Sequence, residues 1–413
     1  MNKLTLKECC SFQEGYVNPP QEYREYFGGD IKWLRASDLN DAEVYSTERT
    51  LSDKGFKSAG KSALLFKEDT IAISKSGTIG KLGILRDRMC GNRAVINIDV
   101  NTQKVDLYYV FYTLMYKKPE IVSKAGGSIQ KNLYVSALET ITLNHKAKDQ
   151  QAKISRILSA IDKKIALNNK INTELEAMAK LIYDYWFVQF DFPNANGNPY
   201  KSSGGKMVYN EALNREIPKG WKGLSLSEIA EISNNSVNPA NHADQVFKLF
   251  SIPTFDATKT YGLDLGRDIG SNKFVVADEH ILVSKLNPWF NRVVYTIDES
   301  DQICSTEFVV WCSSSAEMKN YLYMIATSQQ FIAFCTQSAT GTSNSHKRVN
   351  PKVMMNFKLA FNQEVAESLG GILEPILKKI IKNNNEISRL AELRDWLLPM
   401  LMNGQVTVKG CVS

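Results

Sequence analysis

The chain has 413 residues, more than one compact core usually holds, so we expect two domains with connecting elements. Hydrophobic residues make up 43% and charged residues 23% of the sequence, fractions that are typical of an ordinary soluble protein. The net charge of +6 permits a polyanionic partner but does not by itself argue for one.

The cysteines and the apolar stretches favour a cytoplasmic chain. The seven cysteines form no CxxC pair, and their odd number suits a reducing compartment better than a disulfide framework. The beginning, MNKLTLKECC, lacks the apolar core of a signal peptide. Polar residues at positions 184, 189 and 191 interrupt the most apolar stretch, so we expect no membrane association.

The first 148 residues alternate short apolar runs with aromatic helical stretches. A strand-like run reaches the pair Ser74-Lys75, and the polar loop SKSGTIGK (74–81) begins there. The aromatic stretch LYYVFYTLMY (107–116) later precedes the loop KAGGSIQKN (124–132). Alternating short strands and scattered helices predict an α+β domain over residues 1–148.

Residues 149–190 predict a long helix with one narrow apolar seam. Its apolar residues fall three or four apart, the a/d spacing of a coiled coil, first at Ile154, Leu158, Ile161 and Ile165 and then again at Leu175, Met178 and Ile182. Asn168 stands where the seam needs an apolar residue. A helix of about 36 to 40 residues is about 55 to 60 Å long, so we interpret it as a spacer.

The second half repeats this plan. Residues 191–220 are rich in Gly, Asn, Ser and Pro and predict a linker. Residues 221–362 predict a second α+β domain, in which Ser284-Lys285 and the loop SATGTSNSHKR (338–348) match the features of the first half. A second long helix is predicted at 363–402, followed by a tail at 403–413.

The two long helices correspond at a shift of 215 positions, which carries Asn168 onto Asn383. If the helices pair antiparallel, their middles meet, and we expect these two asparagines to lie close together and to fix the register. The alternative is that each faces solvent. Gly370, Gly371 and Pro375 weaken the second helix, and Pro399 is expected to end it.

The sequence carries no recognisable catalytic or metal site. The four histidines lack metal-ligand spacing, and neither a GxSxG elbow nor a phosphate-binding loop is present. The fragments NPPQ (18–21) and NPWF (287–290) are similar to the NPPY/F loop of adenine methyltransferases, but the first lacks the aromatic residue and the second has Trp in place of the second proline. We therefore predict no catalytic residue.

The polar loops at matching places in both halves offer the residue types that contact DNA. Arg or Lys can read guanine, Asn or Gln can read adenine, and small hydroxyl groups can hold phosphate. For any single residue, a solvated surface loop is the simpler interpretation, but the matched set favours binding. The candidates are Lys75, Ser76, Lys81, Asn92, Arg93, Gln130, Lys131, Asn132, Lys285, Asn291, Arg292, Thr342, Asn344, Ser345, His346, Lys347 and Arg348.

The layout resembles the specificity subunit of a type I restriction–modification system over nearly the whole chain. The resemblance rests on the block DQQAKISRILSAIDKKIALNNKINTELEAMAKLIYDYWFVQFDFP (149–193), on NPYKSSGGKMVYNEALNREIPKGW (198–221) and on the second helix with its closing LRDWLLPMLMNGQV (393–406). The second helix departs from the usual pattern at Gly370-Gly371 and Pro375.

The resemblance implies a division of labour between subunits. The domains 1–148 and 221–362 would be target-recognition domains that each read one half of a split double-stranded DNA target, in an internal repeat with pseudo-two-fold symmetry. The antiparallel helices would set the gap between the halves and dock two copies of a methyltransferase subunit. That subunit carries S-adenosylmethionine, and a restriction subunit uses ATP and Mg²⁺. This chain would hold no cofactor and would not be catalytic.

Two other functions stay open from the sequence. The chain could be a self-contained adenine DNA methyltransferase in which the repeat is incidental. It could also be a dimerising coiled-coil scaffold without a nucleic-acid role. Salt-dependent and sequence-selective DNA binding would favour the specificity-subunit interpretation over the scaffold.

Overall fold

The chain forms two compact units in a computed structural model that describes residues 3–127, 131–341 and 346–408. Unit 1 contains the residues up to Ile165 together with those from Leu390 onward, and unit 2 spans Ala166–Arg389. Each of two long helices contributes one part to each unit.

The described part of unit 1 is a mixed structure of short strands and helices. Its strands are β1 (Lys3–Thr5), β2 (Cys10–Glu14), β3 (Phe27–Leu34), β4 (Ala42–Val44), β5 (Thr50–Leu51), β6 (Thr70–Ser74), β7 (Leu82–Leu85), β8 (Cys90–Gly91), β9 (Val95–Val100) and β10 (Thr142–Asn144). Its shorter helices are α1 (Leu6–Cys9), α2 (Asp53–Lys57), α3 (Leu107–Tyr116), α4 (Lys118–Ser123) and α5 (Val135–Glu139). The first long helix, α6 (Lys148–Tyr183), begins here.

The described part of unit 2 has the same mixture. Its strands are β11 (Met207–Asn210), β12 (Arg215–Pro218), β13 (Lys222–Ser225), β14 (Glu231–Ser233), β15 (Ser236–Val237), β16 (Val246–Phe250), β17 (Gly262–Leu265), β18 (Lys273–Val275), β19 (His280–Ser284), β20 (Val293–Tyr295), β21 (Gln302–Cys304), β22 (Phe308–Cys312) and β23 (Lys358–Phe361). Its helices are α7 (Ile252–Thr258), α8 (Ala316–Thr327), α9 (Gln329–Ser338) and α10 (Pro351–Met354), and the second long helix, α11 (Gln363–Asn403), begins in this unit.

The strand order repeats between the units. Unit 1 has a sheet in the order β2-β9-β6-β7-β4, and unit 2 has β14-β22-β19-β20. In unit 1 the parallel pair β3 and β8 lies beside antiparallel β5, and in unit 2 the parallel pair β16 and β21 lies beside antiparallel β17. The α+β class and the internal repeat predicted from the sequence are confirmed.

A local detail of the sequence also repeats. Thr5 and Glu8 form a capping box at the start of α1, and Ser225 and Glu228 form the same box in the 3-10 turn after β13. In each case the carboxylate accepts a hydrogen bond from the backbone N–H of the capping residue, at 2.7 Å. Such a box satisfies two otherwise unpaired groups, and it fixes where the chain turns after β1 in unit 1 and after β13 in unit 2.

The long helices pair antiparallel within unit 2. Asn168 Nδ2 donates to Glu386 at 2.9 Å, Asn383 Nδ2 donates to Asn172 at 2.8 Å, and Asn172 Nδ2 donates to Asn384 at 2.7 Å. Residue numbers therefore rise along one helix as they fall along the other. Asn168 and Asn383 are 1% and 0% exposed, so neither faces solvent, and each bonds across the pair to a different residue.

The helices also pair within unit 1, where the end of α11 meets the start of α6. Arg394 donates to Asp162 at 3.0 Å. Ile154 and Leu158 share one apolar core with Leu398 and Leu401. The seam of α6 thus contributes to the core of unit 1 before it reaches the asparagines of unit 2.

Two details of the predicted helices are wrong. Met178 is 45% exposed and Ala179 takes the seam position, because the four-and-three spacing that runs through Asn168, Asn172 and Leu175 reaches 179 next. The second helix does not end at Pro399 but continues to Asn403, and Gly404 follows with a positive φ of 77°. A glycine in the left-handed conformation is the usual end of a helix.

The segment 191–220, which its composition marks as a linker, is folded in the structure. It contains the hairpin of β11 and β12, and Ile217 lies in the core of unit 2. Phe192 stacks on Tyr200, with ring centroids 4.8 Å apart, and lies 5.1 Å from the ring of Trp221. The burial of these aromatic side chains explains why the segment is folded, although its content of Gly, Asn and Ser alone predicts an unstructured linker. The domain boundaries given above stay predictions.

Candidate nucleic-acid interface

The Ser-Lys pairs end matching strands in the two units. Ser74 closes β6 and Ser284 closes β19, and both are buried. Ser74 Oγ accepts a hydrogen bond from the Lys81 backbone N–H at 2.9 Å, and Ser284 Oγ accepts one from Leu286 at 3.2 Å. A serine that bonds the following backbone turns the chain, so each strand leads directly into its polar loop.

The lysine of each pair joins the strand end to the second polar loop. The Lys75 backbone donates to Ala94 and accepts from Leu133, both at 2.8 Å. In unit 2, the Lys285 backbone donates to Glu307 and accepts from Val349, both at 3.0 Å. The polar loops that the sequence places far apart therefore meet at the lysine in each unit.

A pair of backbone hydrogen bonds closes the second loop of each unit. Gly126 and Asn132 exchange bonds of 3.0 and 2.8 Å, and Thr340 and Arg348 exchange bonds of 2.9 and 2.8 Å. The two ends of each loop are thus held together. The candidates Gln130, Thr342, Asn344 and Ser345 lie outside the described residues.

In unit 1 the candidate lysine is not a free cation. Lys75 Nζ lies 2.9 Å from Glu14 Oε1, and Tyr16 donates to the same carboxylate at 2.8 Å. Burial would raise the pKa of Glu14, but the hydrogen bonds from Lys75 and Tyr16 outweigh it and lower that pKa. The pair is partly buried, so Lys75 holds the loop in place while neighbouring residues offer the open positive charge.

The remaining described candidates of unit 1 lie in the segments that meet at the Lys75 backbone. Arg93 and Lys131 are exposed, and the other four are half-buried: Ser76, Lys81, Asn92 and Asn132. Asn92 Oδ1 accepts a hydrogen bond from the Ala94 N–H at 3.0 Å, which leaves its amide group as the donor. Arg93 and Lys131 are cations of the type that contacts phosphate, and Asn132 is held by its backbone bridge to Gly126.

In unit 2 two arginines are held by carboxylates. Arg292 makes two hydrogen bonds to Asp256, at 2.6 and 2.7 Å, and its guanidinium lies 4.5 Å from the centre of the Phe290 ring. Arg292 lowers the pKa of Asp256. Arg348 pairs with Glu307 at 2.9 Å, and that hydrogen bond raises the pKa of Arg348. Paired guanidinium groups of this kind are fixed in orientation.

The other candidates of unit 2 lie beside these pairs. Lys285 and Lys347 are half-buried, and Asn291 and His346 are exposed. Asn287, outside the predicted set, joins the two loops: its backbone donates to Lys347 O at 2.7 Å, and its Oδ1 accepts from Lys347 N at 3.0 Å.

Sequence reasoning missed the carboxylates that hold the cations, Glu14, Asp256 and Glu307, because nothing in a single sequence marks a pair so distant along the chain. It also missed the exposed aromatic residues Trp289 and Phe290 as possible contacts, although two aromatic residues in a polar loop were visible. In the described ranges no group of three His, Cys, Asp or Glu could hold a metal ion. None of the helices in those ranges is long and apolar enough to cross a membrane.

Comparisons with known proteins identify the families and proteins to which this chain is similar. Residues 1–177 match the family of the type I restriction modification DNA specificity domain. The type I restriction enzyme MjaIX specificity subunit of Methanocaldococcus jannaschii is 26% identical, over 96% of this chain and 91% of that protein. The type I restriction enzyme HindI specificity subunit of Haemophilus influenzae is 23% identical, over 71% of this chain and 75% of that protein.

A solved structure shares the fold. The S subunit of a type I restriction–modification system from M. genitalium superposes with a TM-score of 0.64 at 14% identity, over 97% of this chain and 96% of that one. The chain is thus similar, along nearly its whole length, to the specificity subunits of type I restriction–modification systems, as its sequence predicted.

Proposed function

We propose that this chain is the DNA sequence-specificity subunit of a type I restriction–modification complex. Each unit would read one half of a split double-stranded DNA target. The observation that carries the proposal is the repeated arrangement in which a Ser-Lys pair at a strand end meets a second polar loop, at Lys75 in unit 1 and Lys285 in unit 2. Two linked recognition sites bind a bipartite target as one bivalent ligand.

The partners follow from the resemblance. The long helices would dock two methyltransferase subunits that carry S-adenosylmethionine, and a restriction subunit that uses ATP and Mg²⁺ would join them in the cytoplasm. This chain would supply no catalytic residue. Its part in the reaction would be to place a target adenine before the methyltransferase subunit, which flips the base out of the duplex.

The test exchanges one recognition domain in the complex with methyltransferase subunits. Methylated adenines are first mapped in DNA treated with the original complex, and residues 1–148 are then replaced by the corresponding domain of another specificity subunit. We expect one half of the methylated motif to change while the other half and the gap stay the same. Binding should also weaken steeply with salt, since cationic loops displace counterions from DNA.

Other results would contradict the proposal. If both halves of the motif changed, the two units would not read DNA separately. If the purified chain methylated DNA with S-adenosylmethionine and no partner, it would be a self-contained methyltransferase. If the complex bound all duplexes alike without a salt dependence, the chain would serve as a scaffold.

A further inference from the structure

We propose that the turn Pro288–Phe290 of unit 2 carries an aromatic wedge that packs against the base pairs of one half of the DNA target. The inference rests on the proposed function and deepens it for unit 2. Trp289 is 38% exposed and Phe290 is 58% exposed, and their ring centroids lie 6.0 Å apart. Two large aromatic side chains thus lie together at the surface, inside the predicted DNA-contacting loop.

The turn that presents these rings is held firmly. Pro288 is buried, and the backbone of Phe290 donates to Asn287 O at 3.0 Å. Asn287 and Asn291 flank the turn with positive φ angles of 48° and 47°. Asparagine tolerates this conformation better than most residues, but two such positions within five residues indicate a backbone shape that the surrounding structure enforces.

The Phe290 ring is also fixed from one side. The Arg292 guanidinium lies 4.5 Å from the ring centre, and Asp256 holds that guanidinium through two hydrogen bonds. Arg292 Nη1 donates to Leu286 O at 3.4 Å as well. A ring that is already oriented loses little side-chain entropy when it binds. An exposed aromatic ring of this kind therefore binds a partner at a lower entropic cost than a freely rotating one.

The charges around the turn favour DNA as the occupant. The neighbouring loop residues Lys285, Lys347, Arg292 and Arg348 are four cations, whereas the carboxylates paired with them are two, Asp256 and Glu307. Excess positive charge draws the phosphate backbone, and an aromatic side chain beside it can enter a groove and partly unstack a base step.

The corresponding loop of unit 1 has no such feature. After Ser74 the chain reads KSGTIGK, where Gly77 and Gly80 adopt positive φ angles of 71° and 86° and no aromatic side chain follows. Apart from the adenines that the methyltransferase subunits flip, only the half of the target read by unit 2 should therefore show unstacking, which gives the proposal an internal comparison on the same DNA molecule.

The experiment uses the full chain with its methyltransferase subunits and a duplex that carries the mapped target. 2-Aminopurine, whose fluorescence rises when a base unstacks, is placed at successive positions in each half other than the methylated adenines and their direct neighbours, because the methyltransferase subunits flip those adenines. The variants are the double substitution W289A/F290A and the single substitutions F290Q and F290Y. The matched control is Y209A, because Tyr209 is an exposed aromatic residue of unit 2, 62% accessible, outside these loops.

Apart from the adenines that the methyltransferase subunits flip, we expect the fluorescence to rise at one step in the half read by unit 2 and at no step in the other half. W289A/F290A should abolish that rise and weaken binding to the target by about 10- to 100-fold, while non-specific binding changes little. F290Q should act in the same direction, F290Y should keep most of the affinity, and Y209A should behave like the original chain. Both rings are exposed, so melting temperatures should stay the same.

Each contrary result overturns the proposal in a distinct way. If the complex selects its target and W289A/F290A binds it equally well with the same fluorescence, the wedge is wrong and the proposed function stands. If the double variant loses the methyltransferase subunits and keeps its DNA affinity, the turn is a protein contact. If the original complex shows no sequence preference, the proposed function fails and the wedge fails with it.

Discussion

A buried polar pair lies in the helix seam of unit 2. Asn383 donates to Asn172 at 2.8 Å, and its own Oδ1 has no hydrogen-bond partner within the described part of the chain. Asn383 is 0% exposed and Asn172 is 6% exposed. Such a pair is costly compared with apolar residues, and it is satisfied in one register only, so it contributes more to specificity of pairing than to stability.

Leucine substitutions test this pair. Asn172→Leu should lower the free energy of unfolding of unit 2 by about 1–3 kcal/mol, because it leaves the buried amide of Asn383 without an acceptor. Asn383→Leu should also lower the free energy of unfolding. The double substitution should lower it by clearly less than the sum of the two single losses, since neither Asn172 nor Asn383 then leaves the other unpaired. Urea unfolding of the four proteins measures the coupling. Strictly additive costs would contradict the pairing.

A second residue-scale prediction concerns acid stability in unit 1. Burial would raise the pKa of Glu43, but hydrogen bonds from Tyr108, Tyr45 and Arg86 outweigh it and lower the pKa from 4.5 to about 2. A carboxyl group whose pKa is lower in the folded state than in the unfolded state stabilises the fold at pH values above its ordinary pKa. That contribution is lost as the pH falls from about 4.5 towards 2.

Glu43→Gln should therefore destabilise unit 1 at neutral pH by about 1–2 kcal/mol, a modest value because the carboxylate keeps some contact with solvent. The difference between the two proteins should shrink below about pH 4.5 and nearly vanish by about pH 2. Melting temperatures measured across this range test it, with Glu22→Gln at an exposed position as the control. A difference that stayed constant with pH would disprove the role of ionisation.

At the scale of the element, the two adjacent glycines of α11 have different surroundings. A Cβ atom on Gly370 would lie 2.1 Å from the backbone oxygen of Glu317 in α8, and the Gly370 carbonyl accepts a hydrogen bond from Asn320 at 2.9 Å. Gly371 is exposed and has nothing within 4 Å of that position. The sequence predicted a weak helix here, whereas Gly370 is needed for close packing of the two helices.

Alanine substitutions at these neighbouring positions should have opposite effects. Gly370→Ala should destabilise unit 2 by about 1–3 kcal/mol or more, because two backbones would have to separate. Gly371→Ala should stabilise it by about 0.5–1 kcal/mol, because alanine favours a helix and meets no neighbour. Melting temperatures of the two variants give the comparison. If both stabilised the protein, the close contact would not exist in solution.

Periodicity predicted the long helices well, since a repeat of three and four residues identifies a seam without knowledge of the partner. It placed Asn168 and Asn383 in the interior, and both are buried. It did not identify Asn172, because a second asparagine resembles a solvent-facing residue until the heptad is counted through it. The partners Glu386 and Asn384 depend on the partner helix, and one helix sequence does not contain that information.

At the scale of the whole molecule, the duplicated architecture was predictable because the sequence contains an internal repeat. The matched Ser-Lys pairs and polar loops indicated equivalent places in both halves, and the strand orders repeat. The sequence did not predict which of the candidate cations form ion pairs with carboxylates. Lys75, Arg292 and Arg348 have carboxylate partners that come from distant parts of the chain, and only the folded units bring them together.

The proposed function makes the helix pair responsible for the gap between the two halves of the target. One additional heptad inserted into α6 between Ile165 and Ala166, and one into α11 between Arg389 and Leu390, keeps the seam in phase. Seven residues add about 10 Å of helix at about 1.5 Å each. This equals about three base pairs at about 3.4 Å each, so we expect the gap to lengthen by about three base pairs with both half-sequences unchanged.

Mapping the adenines methylated by the lengthened complex measures the gap directly. An insertion of four residues, about one helical turn, into α6 near Asn168 is a second test, because it also lengthens the spacer. That variant should change the gap while both half-sequences stay the same. An unchanged gap in the doubly lengthened protein would mean that contacts outside the helices determine the spacing, since the added length would have had no effect on where the two halves are read.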